Sequence, residues 1–429
     1  MNLTEKVFWH DTLEMPTDAI LNDLPQKADM VVIGAGIPGL AAAYQIAKRG
    51  VSVAVLEAET IGWGASSRNG GMALTGLKLE AGVVESRYGV ELTRQLFEDS
   101  IASLTTVEQI VNQEQIDCGF NRTGHLLLAN KPAHYESLQL EAEWFAKHFN
   151  YETRIIAKGD LHAEIGSDIY FGGLVDEVSA GLNPAQYVVG LAKAAERAGA
   201  MLHPHARLIQ IEKISEGYKL KTQRGELVAR QVLVTTGGYT GTATPQLQRR
   251  IIPIGSYIIA TQPLPEDLAK QLIPHNRIIF DYRHFLNYFR LSADNRMIFG
   301  GRAAFYPETD STIRTSADIL RREMERVFPQ LAGYEVEYAW GGTLDFAFDQ
   351  MPHAGQLDGI YYTLGFAGHG VALGTHLGIR MADAILDGKV RELPYNAYEF
   401  PKAPLGLFNG KPWFLPLIGL WHRILDWMY

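Results

Sequence analysis

The chain has 429 residues, of which 47% are hydrophobic and 20% charged, and its formal net charge is −9. This is the composition of a globular protein of two or three domains, and the acidic balance argues against nucleic acid as its main partner. The single cysteine, Cys118, excludes an intrachain disulfide, and no stretch reaches the roughly 18 uninterrupted apolar residues of a membrane span.

Residues 1–28 read as an irregular lead-in carrying Trp9, with no signal-peptide pattern, so a cytoplasmic location is expected. Residues 29–57 then follow the order strand, glycine turn, helix, strand, acid. In Gly34-Ala35-Gly36-Ile37-Pro38-Gly39, Gly34 allows the tight turn and Gly36 lets the backbone approach a pyrophosphate. Gly39 lets the helix pack on the strand, and Pro38 fits the first turn, where its missing N–H costs nothing. The helix N-terminus should offer unpaired N–H groups to phosphates, and Glu57 a carboxylate to ribose hydroxyls. These features together indicate a dinucleotide site.

Gly64-Ala65-Ser66-Ser67-Arg68-Asn69-Gly70-Gly71 is a loop of small residues where backbone can meet a ligand, with Arg68 as a candidate for neutralising phosphate. Residues 82–115 have helical spacing, 120–129 read as a strand, and 133–149 as an amphipathic helix. Residues 165–182 read as glycine-rich turns, and Asn183-Pro184 opens a helix to about Ala198. Residues 201–236 form a β-rich block ending at Gly237-Gly238, which suits a return to the nucleotide-binding sheet. Residues 251–262 are a further strand, and 286–301 a hairpin turning at Asp294-Asn295. A helix over 313–327, a strand over 334–343 and a strand, glycine loop and helix over 359–386 complete the pattern. No metal site is expected.

Several of these stretches, in this order, resemble the D-amino-acid-oxidase superfamily of FAD enzymes over nearly the whole chain. The residues are GAGIPG at 34–39, GASSRNGG at 64–71, Gln115-Ile116-Asp117-Cys118, the 288–296 hairpin, Gly300-Gly301, Trp340 and Gly365-Phe366-Ala367-Gly368-His369-Gly370-Val371. Within the superfamily the chain is most similar to the γ-glutamylputrescine oxidase branch. The resemblance implies an α/β (α+β overall) protein: a Rossmann-like FAD-binding domain with a discontinuous inserted antiparallel-sheet substrate domain. The implied FAD-binding segments are 1–80, 181–250 and 336–400, the substrate segments 81–180 and 251–335, and 401–429 an aromatic tail. The cofactor contacts implied are Gly34, Gly36, Ile37, Pro38, Gly39, Glu57, the 64–71 loop, Gly237, Gly368, His369, Gly370 and Val371.

The resemblance also implies hydride transfer from an amine-bearing carbon to flavin N5 and hydrolysis of the resulting imine to an aldehyde or keto product. FAD is expected to be noncovalent, because no cysteine follows Cys118. The positive helix end at 368–371 would stabilise negative charge on the reduced ring. Tyr288 and, on the same strand face, Arg290 are expected at the substrate, with Arg302 as a second anion clamp or a structural ion pair. His369 either adds a donor there or stands behind the site. Where relatives that bind an α-carboxylate carry an arginine, this chain has Ser292, which favours a small amine such as a polyamine derivative over a simple α-amino acid. Tyr257, Tyr282 and His284 are candidate pocket residues. Dioxygen is the expected acceptor and Lys78 the nearest candidate for activating it. An amino-acid dehydrogenase passing electrons to a quinone and a non-catalytic flavoprotein are the alternatives. The tail after Lys411 has three tryptophans, so it docks on the protein or on a partner subunit, or makes peripheral contact with a membrane.

Overall fold

A computed structural model describes residues 3–15, 22–283, 286–304 and 312–403, together with 408, 410, 412 and 414; the side chains of 302–304 are not described. Two eight-stranded sheets organise the chain. The first runs, in spatial order, His353–Leu357, Ile360–Leu364, Gly225–Val234, Lys27–Ile33, Val53–Leu56 and Met201–His203. Two meander strands, Leu208–Ile214 and Gly217–Thr222, pair off Gly225–Val234. From Ile360–Leu364 to Met201–His203 every pairing is parallel. Met30 to Val32 and Val53 to Val55 are fully buried, as expected for parallel strands covered on both faces. Gly225–Val234 lies beside Lys27–Ile33, so the middle β block does return to the nucleotide-binding sheet.

The helix Ile37–Lys48 covers one face of this sheet and packs on Ala372–Leu386. A Cβ on Gly378 would lie 2.4 Å from the Pro38 carbonyl oxygen, so these helices touch at the backbone. The C-terminal glycine loop thereby comes to lie beside the first glycine turn.

The second sheet runs Val336–Ala347, Ile251–Thr261, Met297–Ala304, Tyr288–Leu291, Ile278–Asp281, His125–Leu128, Gly172–Asp176 and Arg154–Ala157. It is antiparallel except where Ile278–Asp281 runs parallel to His125–Leu128. It also extends beyond the expected break at 335, because Val336–Ala347 pairs with Ile251–Thr261 along its whole length. Gly172–Asp176, read from sequence as a turn, is a buried strand. Its glycines make room for a neighbour: a Cβ on Gly172 would fall 2.3 Å from the Tyr135 ring.

The lead-in is tied down. Thr4 bridges to Tyr338, Phe8–Thr12 is a 3-10 turn, and Val7, Phe8 and Trp9 are buried. Cys118 is buried and unpaired. Among the described residues no helix is long and apolar enough to cross a membrane, and no cluster of three or more His, Cys, Asp or Glu could hold a metal ion. Of the aromatic tail, Phe408 and Phe414 pack on Phe348; beyond 401–403, 410 and 412 the rest lies outside the described residues.

Candidate active site

The first glycine turn is close-packed. Gly34 adopts φ +102°, and a Cβ on Gly39 would lie 2.0 Å from the Gly34 oxygen. The Glu57 carboxylate accepts the Ala35 N–H (2.8 Å) and the Glu59 N–H (3.0 Å), so it faces the turn with lone pairs left for a ligand hydroxyl. One donor expected to be unpaired is engaged: Ile37 N–H donates to Ser66 Oγ at 2.9 Å. The 64–71 loop therefore caps the helix from outside.

That loop is held from four distant places. Trp9 Nε1 donates to Asn69 O (2.9 Å), Trp340 Nε1 donates to Arg68 O (2.8 Å), and His10 shares a hydrogen bond with the buried Ser67 hydroxyl (2.8 Å). Arg290 is the fourth anchor: its Nη1 donates to Gly71 O (2.6 Å) and Leu182 O (2.8 Å), and its Nε to Leu291 O (3.1 Å). Burial pushes the Arg290 guanidinium down to about 10. Among the described residues no carboxylate pairs with it; carbonyl dipoles and the Trp9 ring, 5.9 Å away, stand in for a counter-charge. Arg68 lies over the Trp63 ring and donates to Trp63 O (2.7 Å).

At the other end, Gly365, Ala367 and Gly368 all have positive φ. Asp345 shapes this turn: its carboxylate accepts the Gly365 N–H (2.7 Å), and its carbonyl the Ala367 N–H (2.9 Å). Burial pushes the Asp345 carboxyl up to about 6, against backbone N–H groups that pull it down. A Cβ built on Gly368 meets nothing within 4 Å, so the turn faces open space. His369 beside it has a buried Nδ1 with no partner, and burial, followed by the Lys78 charge, lowers its pKa to about 4.

Between the sheets lies a cavity of ≈ 1070 Å³. Arg68, Asn69 and Gly70, Gly368 and His369, and Tyr288 all border it. The two glycine loops and the hairpin thus meet in one space.

The model of the family described as FAD dependent oxidoreductase (DAO) matches residues 29–384. The chain belongs to this DAO family. It is 32% identical over 381 residues to the γ-glutamylputrescine oxidoreductase of Escherichia coli K12, covering 87% of this chain and 88% of that one. In fold it is similar to glycine oxidase of Geobacillus kaustophilus (TM-score 0.70, 21% identity, 90% and 99% coverage). It is likewise similar to L-proline dehydrogenase of P. horikoshii (TM-score 0.71, 19% identity, 92% and 99%). The protein is an FAD-dependent oxidoreductase acting on amines or amino acids.

The residues present suit the family's cofactor. The glycine turn admits no Cβ at Gly39, Glu57 is fixed toward it, and Gly368, where the turn is open, and His369 border the cavity. Gly237, at φ +51°, sits against the Asp345 carboxylate rather than in the open cavity.

For a DAO-family site, the substrate side departs from expectation at Arg290. It shares a strand with Tyr288 but does not line the cavity, because its donors are directed at the Gly71, Leu182 and Leu291 carbonyls. Ser292 is likewise held within the hairpin turn, bonded to Asp294 (2.5 Å) and Arg296 N–H. Tyr288 does border the cavity, hydrogen-bonded to Ser256 (3.2 Å), and burial pushes its hydroxyl up to about 12. Arg302 stands on Met297–Ala304, but its side chain and all of His284 lie outside the described residues. Tyr282 lines the cavity, whereas Tyr257 is packed in the second core.

Four features were missed in the sequence. Trp9 and Trp340 grip the 64–71 loop, Asp345 builds the second turn, and His125, read only as part of an apolar strand, faces the cavity. A lone histidine heading the run Leu126-Leu127-Leu128 was the available signal for the last.

Proposed function

We propose that the protein oxidises the C–N bond of a small amine without an adjacent carboxylate, of the γ-glutamylputrescine class, with dioxygen as the electron acceptor. Bound FAD supplies the oxidant for a hydride leaving the amine-bearing carbon. The observation that carries the reading is the engagement of Arg290 by three carbonyls, which leaves the Tyr288 strand without a cation for an α-carboxylate. Arg283, on the cavity wall, is paired with Asp281 (2.7 Å). The substrate in the name of the E. coli relative supports the same class. The cavity's other region carries Glu80, Glu141 and Tyr282, where burial and then Glu80 push the Glu141 carboxyl up to about 7. Such acids suit the polar remote end of a long amine.

The test is anaerobic bleaching of the flavin by γ-glutamylputrescine, putrescine, N-methyl amino acids, glycine, L-proline and D-amino acids side by side. The amines should bleach it fastest; an α-amino acid that did so would replace this reading with the amino-acid one.

Lys78 bears on the acceptor. It lines the cavity without a hydrogen-bond or ion-pair partner among the described residues, and burial lowers its pKa. Dioxygen gains negative charge as it is reduced, and a cation facing it in a dry site lowers that barrier. Lys78→Met should slow reoxidation by dioxygen about 100-fold or more, as loss of an electrostatic stabiliser does, and leave anaerobic reduction within a few-fold. Stopped-flow mixing with air-saturated buffer measures both. Wild-type reoxidation no faster than that of free flavin would point instead to a quinone acceptor.

A further inference from the structure

One set of polar groups on the cavity wall has no part in the foregoing. His125 and Asp176 face each other across antiparallel strands, and Thr75 and Tyr151 border the same space. Asp176 accepts hydrogen bonds from Thr75 Oγ1 (2.8 Å), Tyr151 OH (2.5 Å) and Val178 N–H (2.7 Å). Ser179 Oγ lies 2.8 Å from His125 Nδ1 and 3.4 Å from Thr75 Oγ1, and accepts the Thr75 N–H at 3.1 Å. Nδ1 is thus engaged; among the described residues Nε2 has no partner, and the ring borders the cavity, stacked on Phe280 at 5.1 Å.

Burial alone would raise the Asp176 pKa, but the positive charge of His125 when that ring is protonated, together with the bonds from Tyr151, Val178 and Thr75, holds it below the ordinary carboxylate value. An ionised carboxylate only accepts, so Thr75 and Tyr151 donate to it. The Thr75 hydroxyl can then only accept from Ser179. If Nε2 takes up a proton, Nδ1–H must donate to Ser179, whose own proton turns to Thr75. Every bond of the chain His125, Ser179, Thr75, Asp176 then points toward the carboxylate, and no group is left facing another donor. Burial, opposed by Asp176 and reinforced by Arg277, lowers the His125 pKa. The other charged or titratable groups toward the ring are His369 and, beyond it, Lys78.

An ammonium group has no lone pair with which to form an imine, so it must lose a proton before its carbon gives up hydride. We propose that His125 Nε2 accepts this proton from the substrate ammonium, and that Ser179, Thr75 and Asp176 hold the resulting imidazolium. The N–H bond of the ammonium breaks, its electron pair stays on nitrogen, and a new N–H forms on the ring. The inference rests on the amine reading but requires only a protonated amine, with or without a neighbouring carboxylate.

The experiment follows the anaerobic rate of flavin reduction against pH in the holoenzyme, using whichever compound bleaches the wild-type flavin fastest. Failure of the amine reading therefore shows in the wild type, and failure of this inference in the variants. In His125→Gln the rate at pH 7 should fall about 100-fold, the usual contribution of a general base. It should recover toward wild type as the pH rises through the substrate's own amine pKa, about 10, because the free amine needs no base. Thr75→Val, which interrupts the chain without touching the ring, should lose less than the roughly 100-fold of removing the base itself and recover in the same way. A His125→Gln rate that is unchanged at pH 7, or lowered equally at every pH, overturns the inference; the second pattern is that of a packing role.

Discussion

Gly39→Ala is expected to yield protein that retains no FAD and is less stable by about 3 kcal/mol, the upper end of the usual cost of overpacking. The added Cβ would fall 2.0 Å from the Gly34 oxygen and 2.6 Å from Thr235 Oγ1. Neither neighbour can move aside. Gly34 is backbone already in the left-handed region, and Thr235 Oγ1 is bound between the Ile33 and Gly34 carbonyls at 3.0 and 3.1 Å. The helix must lift instead, and with it the Ala35 N–H that fixes Glu57 and the Ile37 N–H that holds Ser66. Flavin absorbance after gel filtration and thermal unfolding of apo and holo protein measure the two effects. Gly82→Ala is the control: nothing lies within 4 Å of its Cβ, and in a helix it should stabilise by up to about 1 kcal/mol. Wild-type flavin content and melting temperature in Gly39→Ala would refute the packing argument.

The second large effect is at Arg290. Arg290→Met should destabilise the protein by about 3 kcal/mol, as expected when buried carbonyls lose charged donors. Leu182 O loses the donors it has from this side chain, while Gly71 O keeps only the Leu182 N–H. Arg290→Lys should rescue little, because one ammonium cannot donate to the Gly71 and Leu182 carbonyls that Nη1 reaches and at the same time to the Leu291 carbonyl bound by Nε. The loss should appear as weaker FAD retention and a lower melting temperature, with KM for the amine little changed in the fraction that keeps flavin. A selective rise in KM for carboxylate-bearing substrates at full flavin content would restore Arg290 to the substrate pocket.

The legible parts of this fold are those whose constraints are local. Gly34, Gly39 and Glu57 lie within one β-α-β unit, and Asn295 at φ +61° turns the hairpin where its sequence placed the turn. The Asn183 side chain caps its helix on the Ala185 and Gln186 N–H groups, as Asn-Pro implied. The parts that were not legible depend on residues far apart in sequence. Period two correctly put Arg290 on the face of Tyr288 but could not say that the guanidinium bends to carbonyls more than 100 residues earlier. Gly172 and Gly173 read as turn residues because their reason for being small is the Tyr135 ring and the neighbouring strand. Asp345 showed no motif, since its partner is the backbone 20 residues on.

The anchoring of the 64–71 loop has a consequence for the order of synthesis. A nascent chain that has emerged as far as residue 250 already contains the glycine turn, Glu57, the loop and two of its anchors, Trp9 and His10. It lacks Arg290, Trp340 and the Asp345 carboxylate, the contacts that close the loop and the Gly365–Gly368 turn. Sequence-distant contacts form late because loop closure precedes them. Cofactor capture is therefore an event of the finished polypeptide rather than of the emerging one, and a chain stopped at residue 335 that still held FAD would contradict it.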